Sequence, residues 1–272
     1  MSTAAIVLAA GKGTRMKSDL PKPLHEVRGR SLLGWVVSAL DPAHFDQVAV
    51  VVGHGRDLVV DSLEQGFPAR SFVFAEQLSQ RGTGDAAAVG LAELDLIDPS
   101  FSDDDHVVVV PGDTPLLRAE TLQALLDQHL EADAACTMVT ARLDDPTGYG
   151  RVLRGGDGAV LSIVEERDAS PEQRRVNEIN AGMYCFRRSL LAPALRMIST
   201  DNAQGELYLT DVIGVLVEAG HAVLPFVADP IEISGVNDRS QLADAAEAIH
   251  ERIVRHRSEE HTSELQSQFR IS

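Results

Sequence analysis

Cysteine, long apolar runs and positive charge are scarce in this sequence. Of its 272 residues, only Cys136 and Cys185 are cysteines. Neither belongs to a C-x-x-C pair, so we expect two small buried residues in a reducing cytoplasm. No apolar stretch approaches the roughly 20 residues of a membrane-spanning helix. The N-terminal apolar run is short and no basic segment precedes it, so we expect no secretory signal.

The charge balance argues against two classes of partner. The sequence has 41 acidic and 24 basic residues, which gives a formal net charge of -17. A nucleic acid backbone requires a basic surface, and so does an anionic membrane, so we expect neither partner. A local pocket of lysine and arginine could still bind a nucleotide.

Continuous apolar runs in the first half predict buried strands at 5–9, 47–53, 71–75 and 106–113, because strands of a parallel sheet are covered on both faces. Helical patterns lie between them, at 31–40, around 81–94 and at 119–132. This alternation predicts an α/β fold with a doubly wound, Rossmann-like, mostly parallel sheet. Its ligand crevice should lie at the carboxyl ends of the strands, where Leu8–Gly11 and Pro111–Asp113 would face each other.

The second half has a different pattern, with more strands and a hairpin. Strands are predicted at 134–143, 177–188 and 221–228, and a β-hairpin at 151–166 turns through GGDG. A helix at 210–220 would begin at a Thr210-Asp211 cap, and a final amphipathic helix at 240–256 would use Ser240 as its cap. Trp35 lies in an apolar helix and is predicted to be a core residue.

The loop LAAGKGTRMKSDLPKPL, residues 8–24, lacks two familiar phosphate-binding motifs. Its run from Gly11 to Met16 has no third glycine for a dinucleotide-binding G-x-G-x-x-G, and the chain has no G-K-[ST] for a P-loop. Its small residues would instead let backbone N–H groups approach an anion. Arg15 would add a bidentate donor and Lys22 a point charge. The alternative is a flexible solvated loop.

Several further stretches make a family resemblance specific. In chain order they are GTGDA (82–86), GDTPLL (112–117), DDPTGYGRV (144–152), IVEERDAS (163–170), EINAGMY (178–184), NAQGELYLTD (202–211) and GVNDR (235–239). LAAGKGTRM alone is typical of the sugar-1-phosphate nucleotidylyltransferases. With the other stretches, the chain resembles the uridyltransferase domain of the bacterial family of bifunctional N-acetylglucosamine-1-phosphate uridyltransferase/glucosamine-1-phosphate N-acetyltransferases. The resemblance covers about residues 1–256.

The resemblance implies a fold and a reaction. The fold would be that of the nucleotide-diphospho-sugar transferases, a MobA-like NTP transferase domain with a smaller sugar-binding β-hairpin lobe. The enzyme would transfer UMP from UTP to N-acetylglucosamine 1-phosphate, with Mg²⁺ as cofactor. The products would be pyrophosphate and UDP-N-acetylglucosamine for cell-wall peptidoglycan synthesis. Such transfer needs positioning and charge neutralisation more than covalent help.

The resemblance also assigns roles to individual residues. Arg15 and Lys22 would be catalytic, and Asp113 and Asn237 would be the metal ligands. The nucleotide would be bound by Leu8, Ala9, Ala10, Gly11, Gln77, Gly82, Thr83 and Gly112. The sugar would be bound by Gly150, Glu165 and Asn180.

Without the resemblance, several of these residues have ordinary alternatives. Asp113 follows a buried strand, where a carboxylate suits a hard cation, but both it and Asn237 could simply be turn residues. Gln77 could be an exposed loop residue, and Glu165 could be one of two solvated carboxylates with Glu166. Pro111 and Asp85 also depart from the residues usual in the family, which leaves ribose and loop contacts open.

Two other functions compete with uridyl transfer to N-acetylglucosamine 1-phosphate. One is a related enzyme with another nucleotide or acceptor, such as a molybdopterin nucleotidyltransferase or a glucose-1-phosphate thymidylyltransferase. DDPTGYGR, EINAG and GVNDR argue against it. The other is a non-catalytic domain that senses a nucleotide sugar. It would predict loss of at least one of the residues that the reaction needs, yet all four are present: Arg15, Lys22, Asp113 and Asn237.

We expect three segments along the chain. Residues 1–239 would form the nucleotidylyltransferase domain, and 240–256 a helix leading to a left-handed β-helix domain that is missing here. In full-length relatives that domain would transfer acetyl groups and form trimers, so this chain should lack acetyltransferase activity. A genuine single-domain uridyltransferase is the alternative. One reading frame of a short-read sequencing adaptor encodes RSEEHTSELQS (257–267), so we expect 257–272 to be an artefact without function.

Overall fold

A nine-stranded mixed sheet lies at the centre of the computed structural model, which describes residues 2–40, 45–98 and 102–269, with side chains as far as residue 255. A separate two-stranded ribbon is formed by the second and third strands. In chain order the strands are β1 (Thr3–Leu8), β2 (Glu26–Val27), β3 (Arg30–Ser31), β4 (Gln47–Val52), β5 (Val73–Glu76), β6 (His106–Pro111), β7 (Cys136–Arg142), β8 (Arg151–Arg154), β9 (Val160–Val164), β10 (Glu178–Arg187) and β11 (Val223–Val227).

Helices connect these strands and cover both faces of the sheet. They are α1 (Leu32–Ala39), α2 (Arg56–Gly66), α3 (Thr83–Ile97), α4 (Ala119–Glu131), α5 (Arg188–Leu195), α6 (Asp211–Glu218) and α7 (Arg239–Phe269). None of the helices within the described residues is long and apolar enough to cross a membrane.

The strand order places the ends of β1 and β6 side by side. The main sheet runs β11-β7-β10-β6-β1-β4-β5, with β8 paired to β10 and β9 paired to β8. β1 is parallel to both β4 and β6, and Leu8 lies opposite Val51 on one side and Pro111 on the other. β10 is antiparallel to β6 and β7. The loops that follow β1 and β6 therefore leave the sheet at one edge, which confirms the expected position of the crevice.

The apolar runs form strands because both of their faces are buried. On β1, Ile6 packs into one hydrophobic cluster and Val7 into a second cluster on the opposite face, and both are fully buried. On β6, Val107 and Val108 divide between the faces in the same way. Each such side chain stabilises the fold by about 1.5–3 kcal/mol relative to an exposed one. The predicted mostly parallel α/β architecture is confirmed.

A third, smaller cluster attaches α7 to the rest of the fold. Ala245 and Ile249 of α7 pack with Val27, Leu32 and Val236. Trp35 packs against this cluster, where its Nε1 donates a 2.9 Å hydrogen bond to the carbonyl oxygen of Val27. The predicted packing role of Trp35 is confirmed, although the ring is only partly buried.

The predicted hairpin and the buried cysteines are confirmed, while two helices were missed. β8 and β9 pair in antiparallel fashion within 151–166, and Cys136 and Cys185 are both buried. α2 was not predicted, and neither was α5, in which Pro193 lies near the end and obscures the helical pattern. The backbone of α7 continues beyond 256 to Phe269. The side chains of the predicted artefact tail lie outside the described residues.

One predicted helix cap is wrong, and the other has the predicted position without the capping hydrogen bond. Thr210 precedes α6, but its hydroxyl makes no cap hydrogen bond and donates to Glu165 instead. At the start of α7 the cap is Asp238, because its Oδ1 accepts hydrogen bonds from the backbone N–H groups of Ser240 and Gln241 at 2.9 and 3.0 Å. The Thr210 hydroxyl thus binds a carboxylate instead of the helix backbone, and the first N–H groups of α7 are bound by Asp238 instead of Ser240.

Two buried histidines join α4 to the sheet. His129 Nε2 lies 3.0 Å from His106 Nδ1, and His129 Nδ1 lies 3.0 Å from Thr137 Oγ1. Burial lowers the pKa of His129 to about 4, the charges of His106 and Arg187 act in the same direction, and Asp133 opposes them. Burial likewise lowers the pKa of His106, against the opposing charge of Asp105. The folded protein therefore holds both rings neutral.

This pair predicts a decline in stability at acidic pH. The unfolded chain protonates His129 near pH 6.5, whereas the folded protein resists protonation until about pH 4. The free energy of unfolding should therefore be greatest above pH 6.5 and fall by up to about 3 kcal/mol towards pH 4. Urea unfolding between pH 7.5 and 4.5 measures it. His129→Gln should flatten the decline, while the exposed His250→Gln should keep it. Equal declines in wild type and His129→Gln would contradict this account.

Candidate active site

The loop after β1 is folded into two 3-10 turns that present its cations. The turns span Thr14–Met16 and Lys22–Leu24. Gly13 has a φ of 60°, and a Cβ there would lie 2.3 Å from the Cβ of Lys22. Only glycine therefore allows the stem of Lys22 to pass so close. Pro21 and Pro23 flank the lysine and restrict the backbone that carries it.

Four predicted residues from distant parts of the chain meet beside this loop. The ammonium of Lys22 forms an ion pair with Asp113 Oδ2 and donates a 2.8 Å hydrogen bond to Asn237 Oδ1. Arg15 Nη2 donates to the same Asn237 oxygen at 2.9 Å. The backbone N–H of Val236 donates a 2.8 Å hydrogen bond to the carbonyl oxygen of Asp113. This backbone contact holds the segment that carries Asn237 next to Asp113. We call Arg15, Lys22, Asp113 and Asn237 the charge cluster.

The charge cluster fits a divalent cation. The oxygens of Asp113 and Asn237 converge on one positive group, the ammonium of Lys22. Carboxylate and amide oxygens are hard ligands of the kind that such ions prefer. Among the described residues, no group of three or more histidine, cysteine, aspartate or glutamate side chains could hold a metal ion. A cation here would therefore take its other ligands from water or phosphate.

A cleft of about 440 Å³ opens next to the charge cluster, and Asp113 belongs to both. The predicted residues that line the cleft come from the loops after β1 and β5, the start of α3, the end of β6, and β9 and β10. They are Leu8, Ala10, Gly11, Gln77, Gly82, Thr83, Asp113, Glu165 and Asn180. The structure thus brings the residues predicted for nucleotide and sugar to one cavity.

Three predicted residues support the cleft rather than line it. Ala9 and Gly112 are buried, and the N–H of Gly112 donates to the carbonyl oxygen of Leu8 at 2.9 Å. The carbonyl oxygen of Gly150 accepts from the N–H of Asn180 at 2.9 Å. A Cβ at Gly150 would meet Ile163 of β9 at 2.9 Å, so a larger residue would push β9 away from the start of β8.

The predicted base-reading residues are fixed by hydrogen bonds at the start of α3. Gln77 is buried, and its Nε2 donates to the carbonyl oxygen of Gly82 at 3.1 Å and to Asp85 Oδ2 at 2.8 Å. Gly82 has a φ of 110°, and a Cβ there would lie 2.4 Å from the carbonyl oxygen of Leu207. Gln77 is therefore not an exposed loop residue, and Asp85 orients it.

On the sugar side, Glu165 and Glu166 have different environments. Burial raises the pKa of Glu165, although the hydroxyl of Thr210, which donates to its Oε1 at 3.0 Å, acts in the opposite direction. Glu166 instead forms an ion pair with the buried Arg151 at 2.6 Å. The alternative in which Glu165 is one of two solvated carboxylates is therefore wrong.

Other lining residues were not named from the sequence. Gln80 Nε2 donates a 2.6 Å hydrogen bond to the carbonyl oxygen of Ala10, which links the loop after β5 to the loop after β1. Thr210 was assigned to a helix cap, and Tyr184 lies within a strand whose alternation did not mark it. Lys12, Ala86, Pro111, Gly182, Glu206 and Leu209 complete the lining. The one indication in the sequence that Gln80 lines the cleft was its position three residues after Gln77, which was itself predicted to bind the nucleotide.

Comparison with known proteins gives a family match and close relatives. The model of the MobA-like NTP transferase domain matches residues 5–208. The bifunctional protein GlmU of Corynebacterium aurimucosum is 50% identical over 255 residues, which are 92% of this chain and 51% of that protein. The GlmU protein of Streptomyces avermitilis is also 50% identical, over 254 residues, with the same coverage. The chain spans about half the length of these curated relatives.

A solved structure supports the fold. The crystal structure of UDP-glucose pyrophosphorylase complexed with UDP-glucose matches with a TM-score of 0.73 and covers 93% of this chain and 100% of that chain. The sequence identity is 16%, so the likeness concerns the fold alone.

The geometry at Gly11 predicts that a substitution there weakens nucleotide binding without changing the stability of the fold. No described atom lies within 4 Å of a Cβ built at Gly11, so packing does not require glycine there. If its backbone approaches a phosphate, Gly11→Ala should weaken binding of a nucleoside triphosphate at least about tenfold, or about 1.4 kcal/mol, with an unchanged melting temperature. Calorimetric titration with UTP measures the affinity.

The exposed turn residue Gly156 is the matched control, because a Cβ there also meets nothing within 4 Å. Gly156→Ala should change neither the affinity nor the melting temperature. Wild-type affinity in Gly11→Ala would show that the loop does not cradle phosphate at this position.

Proposed function

Because the chain belongs to the MobA-like NTP transferase domain family, we propose that it transfers UMP from UTP to N-acetylglucosamine 1-phosphate. The observation that carries the proposal is the charge cluster beside the cleft. Lys22, Arg15, Asp113 and Asn237 lie next to a cavity large enough for a ligand, lined by Gln77, Glu165 and Asn180. The identity to the GlmU relatives supports the choice of substrates.

The reaction exchanges one phosphoanhydride bond for another. A phosphate oxygen of N-acetylglucosamine 1-phosphate attacks the α-phosphorus of UTP, and the bond from that phosphorus to the bridging oxygen breaks. UDP-N-acetylglucosamine forms, and pyrophosphate leaves with the electron pair. The enzyme's task is to bring two polyanions together and to stabilise the charge on the oxygens as it moves.

The charge cluster supplies this stabilisation. Lys22 neutralises charge on the phosphates that are being joined. The guanidinium of Arg15 holds the triphosphate and then the departing pyrophosphate through two parallel hydrogen bonds. Asp113 and Asn237 would hold Mg²⁺, which when bound neutralises phosphate charge and aligns the reacting groups. The Lys22 ammonium contacts both of those oxygens, so it lies next to the place where the ion would be held.

The cleft supplies recognition. The backbone of Leu8, Ala10 and Gly11 surrounds the nucleotide, while the buried Ala9 and Gly112 support that backbone. Gln77 reads the edge of uracil together with Gly82 and Thr83. Its Nε2 already donates to Gly82 and Asp85, which leaves Oε1 to accept a hydrogen bond from the base. On the other side, Glu165 and Asn180 receive the sugar, and Gly150 holds the backbone of Asn180 in place. Glu165 accepts hydrogen bonds from sugar hydroxyls.

The proposal extends to the cellular role and to the longer relatives. Residues 1–239 form the nucleotidylyltransferase domain, which works in the cytoplasm on precursors of the cell wall. Acetyl transfer and trimer assembly belong to the part of the relatives that this chain does not span.

Pyrophosphate release tests the proposal. With Mg²⁺, the protein should release pyrophosphate from UTP and N-acetylglucosamine 1-phosphate, but not when CTP replaces UTP or glucose 1-phosphate replaces the acetamido sugar. A chelator should abolish release, and added Mg²⁺ should restore it. Arg15→Ala should remain folded and lose about 100-fold or more in turnover, as for loss of one donor to a developing anion.

Each alternative gives its own result in this assay. Release with another nucleotide or sugar would keep the transfer chemistry and overturn Gln77, Glu165 and Asn180 as specificity residues. A folded protein that is silent in every mixture would favour a sensing domain. A near-normal rate in Arg15→Ala would remove that residue from the mechanism.

A further inference from the structure

A bulge in β10 brings together two residues that a regular strand would keep apart. Asn180 and Tyr184 are four positions apart on β10, a distance of roughly 13 Å along an extended strand. The pairing of β10 with β7 shifts register between these residues, and Gly182 between them has a φ of 72°. As a result, Asn180 Nδ2 lies only 2.7 Å from the hydroxyl oxygen of Tyr184.

This hydrogen bond fixes the orientation of the Asn180 amide. Nδ2 donates to the tyrosine hydroxyl, so the amide oxygen Oδ1 faces away from that contact. Within the described part of the chain, Oδ1 is buried and has no hydrogen-bond partner. A buried acceptor without a donor is costly. Because Asn180 lines the cleft, a molecule bound there is the natural source of the missing donor.

Tyr184 is well placed to hold the amide rigidly. Its side chain is 1% exposed, and its ring stacks on Phe186 with the centroids 5.3 Å apart. Burial raises the pKa of the hydroxyl well above its ordinary value, and the charge of Glu165 acts in the same direction. The hydroxyl therefore stays protonated and can accept from Asn180 while it keeps a proton of its own to donate.

We propose that Tyr184 is a positioning residue that makes Asn180 select an acylamino sugar phosphate. The proposal rests on the proposed function. The N–H of a secondary amide can only donate, so it needs the oxygen of Asn180. A hydroxyl at the same place can donate or accept, so it can bond to either end of the side-chain amide. Holding the oxygen towards the ligand therefore secures the bond to an acetamido N–H, whereas a hydroxyl finds a partner whichever way the amide is turned. Release of the amide should then weaken binding of the acetamido sugar alone.

Removal of the tyrosine hydroxyl is the direct test. In Tyr184→Phe the ring still packs on Phe186, but the Asn180 amide is free to turn. We expect the KM for N-acetylglucosamine 1-phosphate to rise about 5- to 10-fold, the range for loss of one neutral hydrogen bond. The kcat and the KM for UTP should change less than twofold. The ratio of kcat/KM for N-acetylglucosamine 1-phosphate over glucose 1-phosphate should fall by the same factor.

Two further variants separate positioning from packing. Phe186→Leu disturbs the stacked ring and leaves the hydroxyl in place, so it should lower the melting temperature without changing the selectivity ratio. In the background of Asn180→Ala, Tyr184→Phe should have no further effect on selectivity, because the residue through which it acts is gone. This double-mutant cycle also applies if Tyr184→Phe alone is less stable than wild type.

The outcomes distinguish this proposal from the function on which it rests. A wild-type enzyme that prefers the acetamido sugar, with an unchanged preference in Tyr184→Phe, overturns the positioning role and leaves the function intact. Equal loss of selectivity in Phe186→Leu, or an undiminished effect of Tyr184→Phe in the Asn180→Ala background, also overturns it. Wild-type protein without activity on N-acetylglucosamine 1-phosphate overturns both the function and the positioning role.

Discussion

The contacts of the Lys22 ammonium with Asp113 and Asn237 organise the site. They join the loop after β1, the end of β6 and the segment before α7 at one edge of the sheet. The side chain of Lys22 is only 12% exposed, and a positive charge so far from water is stable only with partners. Asp113 and Asn237 are those partners, and they are also the two hard oxygens that a divalent cation would take. A divalent cation and the Lys22 ammonium would therefore share the same two oxygens. Because Lys22 belongs to the loop after β1, the position of that loop would depend on the binding of the cation and its phosphate ligands.

The rest of the fold makes this contact possible. β1 lies between β6 and β4 and runs parallel to both, so the loops that carry Lys22 and Asp113 leave the sheet together. Glycines then remove side chains where the backbone or a lysine stem must pass, as at Gly13 and Gly82. The overall charge is -17, so the first loop, with Lys12, Arg15, Lys17 and Lys22, is a local exception. Such an exception concentrates polyanionic ligands at the cleft rather than over the whole surface.

Much of this could be predicted from the sequence, because buried parallel strands have continuous apolar runs and their carboxyl ends converge. Asp113 could be placed by that rule, whereas Asn237 could be placed only by resemblance, since no spacing links it to Asp113. The cap at Ser240 was predicted wrongly, and Thr210 has the predicted cap position but gives its hydroxyl to Glu165, because capping bonds depend on which partners are near in space. The contact of Asn180 with Tyr184 depends on a bulge, and sequence alternation gives no sign of a bulge. Long-range and irregular geometry was therefore the part that the sequence could not supply.

The central claim is that Asp113 and Asn237 would hold the divalent cation of the proposed transfer, beside Lys22. The most direct measurement is anomalous diffraction from crystals grown with Mn²⁺ and a UTP analogue that cannot be hydrolysed. The account predicts an anomalous peak in contact with the side-chain oxygens of both residues, with the Lys22 ammonium beside it on a phosphate. A peak held by other residues, or a bound triphosphate that Lys22 does not contact, would contradict it.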